Sequence, residues 1–269
     1  MTDTTKAPEQ TDDSPEDFGF PTESSTVLSI TLANKEKQFI VPTGVSHAVV
    51  RLVGGQGAYG DGNSGAPGRG GTLQATIPVT PGETLTAVIG QHPGDRGGSG
   101  FNHGGNGGAG RTARGRDGGA GAGSSALTRN GVPLLVAGGG GGAGGGSPLA
   151  DGGKGGSGNV APGSGTAGQS GSFGTGGAGG TGGAAKGTRG DNGGDAAHGS
   201  TAGGGGGGGG GYNADGKSGG GAGGQQGGGG GAGGGGGAGA SYAYQDATNV
   251  SFGTYNKTGN GKVEILSYS

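Results

Sequence analysis

The sequence predicts an all-β chain, a jelly-roll-like β-sandwich whose long glycine-rich insertions form a bundle of polyglycine-II helices, with almost no α-helix. Three observations lead there. Short apolar runs with period-two alternation recur along the chain, which is the mark of half-buried strands. Glycine supplies 86 of 269 residues and is concentrated between those runs. No stretch combines apolar residues at 3.6-residue spacing with freedom from glycine, so no amphipathic helix is expected.

The strands are read in order. From Thr26, Leu28, Ile30 and Leu32 alternate with Ser29 and Thr31. KQFIV (37–41), SHAVVRLV (46–53), GTLQATIPV (71–79), ETLTAVIG (83–90), VPLLVA (132–137) and GKVEILSY (261–268) follow, bounded by Gly, Pro or Asn. Weaker candidates at 124–128 and 241–245 bring the count to eight or nine. Of the 28 Leu, Ile and Val residues, 25 fall in 27–53, 73–89, 127–136 and 263–266. One small core is therefore built from the two ends of the chain, and a core of that size favours oligomer formation; a trimer is the expected form because appendages and sandwiches of this type often pack that way.

Two units result. Residues 1–25 form an acidic, extended tail with seven acidic side chains, one lysine and prolines at 8, 15 and 21. Its charge of -6 against a total of -2 leaves +4 on residues 26–269. In the second unit, strands occupy 26–53, 71–90, 124–137 and 241–268, and glycine-rich insertions occupy 54–70, 94–123 and 138–240. Glycine loses much backbone entropy on ordering, so a flexible linker is one reading of the insertions. They leave and return to the same sheet system, however, and exceed ordinary loop lengths. A chain without Cβ atoms can instead adopt the extended three-residue helix, whose N–H and C=O groups find partners in neighbouring helices.

FIVPTGVSHAVVRLVGGQG, GTLQATIPVTPGETLTAVIG, LLVAGGGGGAGGG and the terminal GNGKVEIL stand in the order found in bacterial and phage glycine-rich domain proteins, which the chain resembles from about Thr26 to Ser269. The glycine-rich ectodomain of anaplastic lymphoma kinase-type receptors looks like a distant relative. The resemblance implies a sandwich with a polyglycine-II lattice, a structural or receptor-binding role such as that of a phage minor tail protein, and no catalysis. The receptor branch uses disulfides, which a chain without cysteine lacks.

The remaining motifs are weak. GYNADGKS (211–218) fits the phosphate-binding pattern G-x-x-x-x-G-K-[ST], but it lies between glycine runs where a strand and a helix are required, and no Walker-B-like run follows. Arg189-Gly190-Asp191 is easily produced by chance at this glycine content. Asn249-Val250-Ser251 and Asn256-Lys257-Thr258 are glycosylation sequons that matter only in a eukaryotic secretory pathway. His47, His92, His103 and His198 lack metal-site spacing, so neither a metal nor a cofactor is expected. Arg96, Arg111, Arg114, Arg116 and Arg129 form the densest basic stretch, but Asp95 and Asp117 interrupt it, and no nucleic-acid partner is expected. No apolar run approaches the ~20 residues of a membrane span, and residues 1–21 show neither the basic nor the apolar region of a secretory signal, so export by that route is not expected.

The function expected is therefore that of a non-enzymatic virion component. Residues 1–25 would dock on other virion proteins, with Asp12, Asp13, Glu16 and Asp17 facing a basic groove and Phe18 and Phe20 as anchors. Packing of those two rings on the chain's own first strand is the equal alternative. Phe173, Tyr212 and Asn213 are candidate receptor contacts where aromatic and polar residues interrupt glycine, a host-surface glycan being the expected ligand. Tyr242, Tyr244, Phe252 and Tyr255 read as core. The alternative function is a secreted or cell-surface bacterial adhesin that binds glycans.

Overall fold

The computed structural model describes residues 27–31, 36–62, 64–94, 96–110, 116–147, 151–158, 169–170, 185–186, 190–195, 203–212, 219–220, 233–236 and 238–269. Twelve strands follow in chain order: β1 (Leu28–Ile30), β2 (Lys37–Ile40), β3 (His47–Val53), β4 (Gly71–Pro78), β5 (Thr84–Val88), β6 (Ser125–Arg129), β7 (Val132–Ala137), β8 (Ala185–Lys186), β9 (Gly219–Gly220), β10 (Tyr242–Ala243), β11 (Thr248–Thr254) and β12 (Lys262–Tyr268). No helix occurs among the described residues. Two antiparallel five-stranded sheets, ordered β1-β12-β3-β4-β11 and β10-β7-β6-β5-β2, form a sandwich, and β8 pairs with β9 alone.

Alternation decides what enters the core. Val50, Leu52, Leu73, Ile77 and Ile265 from the first sheet meet Leu85, Ala87, Leu127 and Leu135 from the second, all buried. Between β6 and β7 the chain turns at Asn130 and Gly131, both with positive φ (49° and 78°), the combination that a two-residue hairpin needs. β11 is absent from the strands that its sequence predicts. Its outer residues Asn249 and Ser251 are polar, it contains Gly253, and it lies at a sheet edge beside β4, with exposed Val250 in the register shift between Thr248 and Ser251.

Three antiparallel pairs, β3/β4, β5/β6 and β7/β10, continue past the sandwich into the three glycine-rich excursions. Beyond the pairs the bonding period changes from two to three. Gly54 N–H donates to Gly71 O (2.9 Å) and Gly57 N–H to Gly68 O (3.0 Å) within one excursion. Gly55 and Ala58 meanwhile donate to Gly123 and Ala120 of the next (3.1 and 2.8 Å). The excursions thus merge into one lattice of polyglycine-II helices.

The segment 203–211 lies inside this lattice. Gly204, Gly207 and Gly210 donate to Arg116, Gly119 and Ala122, and Gly205 and Gly208 donate to Gly194 and Asp191. Carbonyls are satisfied with the same period, Gly204, Gly207 and Gly210 accepting from Gly145, Gly142 and Gly139. Every step of three returns to the same neighbour. A Cβ on Gly207 would overlap the Gly105 carbonyl, and one on Gly206 the Gly142 carbonyl, so adjacent helices approach as closely as bare backbone allows. Ordering glycine costs about 0.5–1 kcal/mol more than ordering alanine, and a buried hydrogen bond contributes a comparable 0.5–1.5 kcal/mol net. The helix therefore holds only when neighbours satisfy it on several sides together.

Candidate functional site

Tyr212 closes the helix 203–211, its N–H donating to Ala240 O at 2.9 Å. Its ring is half-buried and packs on Phe101 (centroids 5.9 Å apart, tilted by 59°) and edge-on to Tyr242 (5.0 Å, 64°). Three rings distant in sequence thereby meet beside the second sheet. Burial, and then the neighbouring Tyr212 phenol, push the Tyr242 hydroxyl above its ordinary pKa. Of the aromatic residues expected in the core, Tyr244 and Phe252 do pack against it. Tyr242 joins the ring cluster instead, and Tyr255 lies beneath the Lys262 ammonium, 5.4 Å from the ring centre. Phe173, Asn213 and the tail residues Asp12, Asp13, Glu16, Asp17, Phe18 and Phe20 lie outside the described residues.

Phe101 is held by its N–H, which donates to Ser124 O at 2.9 Å, and it walls a groove of about 510 Å³ on the outer face of the second sheet. Glu36, Gln38, Thr84, Thr86, Val88, Thr128, Asn130 and Gly131 complete the groove. The alternation that sends Leu85 and Ala87 inward sends Thr84, Thr86 and Val88 outward. Across the sheet, Gln38 pairs with Thr86 and Thr86 with Thr128, so an amide and two hydroxyls form one row. A neighbouring row runs Val88, Ala126, Val136, Tyr242, linking the groove to the ring cluster. ETLTAV shows this polar face in its alternation, whereas nothing in the sequence places Phe101 beside it. A smaller groove of about 360 Å³, lined by Ser64, Asp151, Lys154, Gln169 and backbone, lies in the lattice.

On the outer face of the first sheet, Glu264 is buried between Arg51 Nε (2.7 Å) and Lys262 Nζ (2.8 Å). Burial alone would raise the carboxyl, but hydrogen bonds from Lys262 and Arg51, with their charges, hold it below its ordinary value. Arg129, part of the basic stretch, is engaged by Glu83 (2.7 and 2.9 Å) and by Pro78 O (2.8 Å). The Tyr244 hydroxyl is raised chiefly by burial, with Arg129 opposing. No helix among the described residues is long and apolar enough to cross a membrane.

Parts of the weak motifs lie among the described residues. A lattice helix, not a strand, precedes GYNADGKS, and the Gly211 carbonyl accepts a bond from Asn102 Nδ2 (2.5 Å). Gly190 and Asp191 of the Arg-Gly-Asp triplet are lattice members, donating to His103 O and accepting from Gly208 N–H. His92 Nδ1 lies 2.8 Å from Gln56 O, and His47 Nδ1 lies 2.9 Å from Ser46 Oγ. Among the described residues no three potential metal ligands converge.

No protein-family model and no curated protein sequence matches this chain.

Proposed function

We propose that the protein is a non-enzymatic structural component of a phage virion, a minor tail or surface-appendage protein that docks by residues 1–25 and projects the glycine lattice outward. The polarity of the sandwich carries this reading. Leu28 pairs with Ile265 and Ile30 with Val263, while Val53, from which the lattice departs, pairs with Lys262. Moving from Ile30 back to Val27 therefore leads away from the lattice. The chain enters the sandwich at one end and the lattice leaves from the other, an arrangement suited to an anchored projection. A lattice cross-bonded on several sides adds stiffness that a glycine linker would lack. The similarity of its strand phrases to glycine-rich phage proteins supports the same conclusion.

Mass spectrometry of purified particles tests it. The full chain is expected in particles, and a chain lacking residues 1–25 is expected to fold and remain outside them. Undiminished incorporation without the tail overturns the docking role; absence of the full chain from particles overturns the virion reading. The adhesin alternative is favoured by a specific observation too, the hydroxyl-lined groove. It predicts the chain at the bacterial surface in cells that make no particles.

A further inference from the structure

We propose that the groove on the outer face of the second sheet is a binding site for a neutral oligosaccharide. This deepens the host-attachment part of the reading above and rests on it for biological purpose only. A pyranose has apolar C–H faces and a rim of hydroxyls that both donate and accept. The groove offers the complement. Half-buried Phe101 and Val88 supply apolar surface at one side, and Gln38, Thr86 and Thr128 supply an amide and two hydroxyls in one row across three strands. Neighbouring strands are about 4.8 Å apart, so successive polar groups stand at a spacing comparable to the width of a sugar ring. Thr128 is buried at the groove floor, its Oγ1 3.4 Å from Thr86 O, so Gln38 and Thr86 are the more exposed polar groups of the row.

Charge and topology select the occupant. Among the described residues Glu36 is the one ionisable side chain lining the groove, and it is acidic, which disfavours phosphate polymers and acidic sugars. A peptide adding as a strand requires a free sheet edge, which lies beyond β2 at the rim of the groove, whereas β5 and β6 at its floor are paired on both sides and present side chains, not free main chain. Two apolar side chains are too few for a lipid. A cleft of about 510 Å³ falls within the range of small-ligand sites.

Calorimetric titration of the full chain with neutral hexasaccharides of glucose, galactose and mannose, and with anionic hexagalacturonate, decides the matter. Binding to a neutral chain is expected. Phe101→Ala should weaken it about tenfold through lost stacking. Thr86→Val preserves shape and strand preference and should weaken it several-fold, while Tyr59→Ala, at an exposed ring that is not part of the groove, should leave it unchanged. No binding to any neutral chain, preference for hexagalacturonate, or indifference to both Phe101→Ala and Thr86→Val overturns the site. Particle incorporation of Thr86→Val separates the two readings: incorporation at the normal level with weakened binding supports both, and absence of wild-type chain from particles removes the virion reading while the titration still judges the groove.

Discussion

The sandwich and the glycine lattice are joined through three strand pairs, yet they are stabilised by opposite means. In the sandwich, backbone bonds form ladders and the distinguishing energy comes from side chains such as Leu52, Leu73 and Leu127, all fully buried. In the lattice, side chains are nearly absent and the backbone itself is the packed material. The comparison shows that one residue type can be essential or dispensable within a single chain. Gly207 is required because a neighbouring carbonyl occupies the place of its Cβ. Gly44 and Gly82 are only favoured, because φ is +78° at each with open space around them, and Gly94 meets neither condition.

The sharpest way to break the comparison is to substitute inside the lattice. Gly207→Ala is expected to destabilise by about 3 kcal/mol or more, since backbone on several sides must move; denaturant unfolding measures it, and a loss under 1 kcal/mol would show that the lattice yields easily. Leu127→Ala tests the sandwich and should remove about 2–5 kcal/mol by leaving a cavity. The two variants should differ in kind: Leu127→Ala acts on the sandwich, whereas Gly207→Ala should speed exchange of lattice amides first.

Glu264→Gln comes next, with an expected loss of about 1–3 kcal/mol from weakened charge-assisted bonds to Arg51 and Lys262. The same carboxyl sets an acid limit. Its folded pKa lies below the unfolded value of about 4.5, so its stabilisation is complete above that value and is lost as pH falls through the folded pKa. Thermal melts between pH 6 and 3 should show this slope in the wild type and a shallower one in Glu264→Gln. At the alkaline end, burial raises Tyr242, Tyr244 and Tyr268, so stability is held below pH 10.0 and declines above it.

The smallest effects belong to exposed glycines. Gly44→Ala should cost about 1 kcal/mol for its left-handed backbone, and Gly94→Ala should be neutral or stabilising by a few tenths of a kcal/mol through the unfolded chain. Chemical denaturation of the pair separates conformational demand from steric demand.

Much of this was legible in advance because strands and polyglycine-II helices have short periods. HAVVRLV and TLQATIP declare alternating faces, and the long glycine run declares that no side chain may intervene. β11 escaped because an edge strand with Asn249 in a positive-φ irregularity carries little alternation. The groove was half legible: Thr84 and Thr86 alternate with inward Leu85, but Phe101 reaches them only through the path of the second excursion. The ring cluster was likewise hidden, since residues 101, 212 and 242 are brought together by lattice and sheet in concert.

By itself, then, the sequence determined the all-β class, the confinement of the core to a few strand phrases and the need for glycine in the insertions, because these follow from local period and from the absence of Cβ. Tertiary structure alone decided which glycine helix lies beside which, that all three excursions leave the same end of the sandwich, and that Phe101 faces a row of hydroxyls. The physical reason is that a glycine helix has no side chain to encode its partner. Its neighbours are chosen by the strand pairs that launch it, and strand pairing is a property of the folded whole.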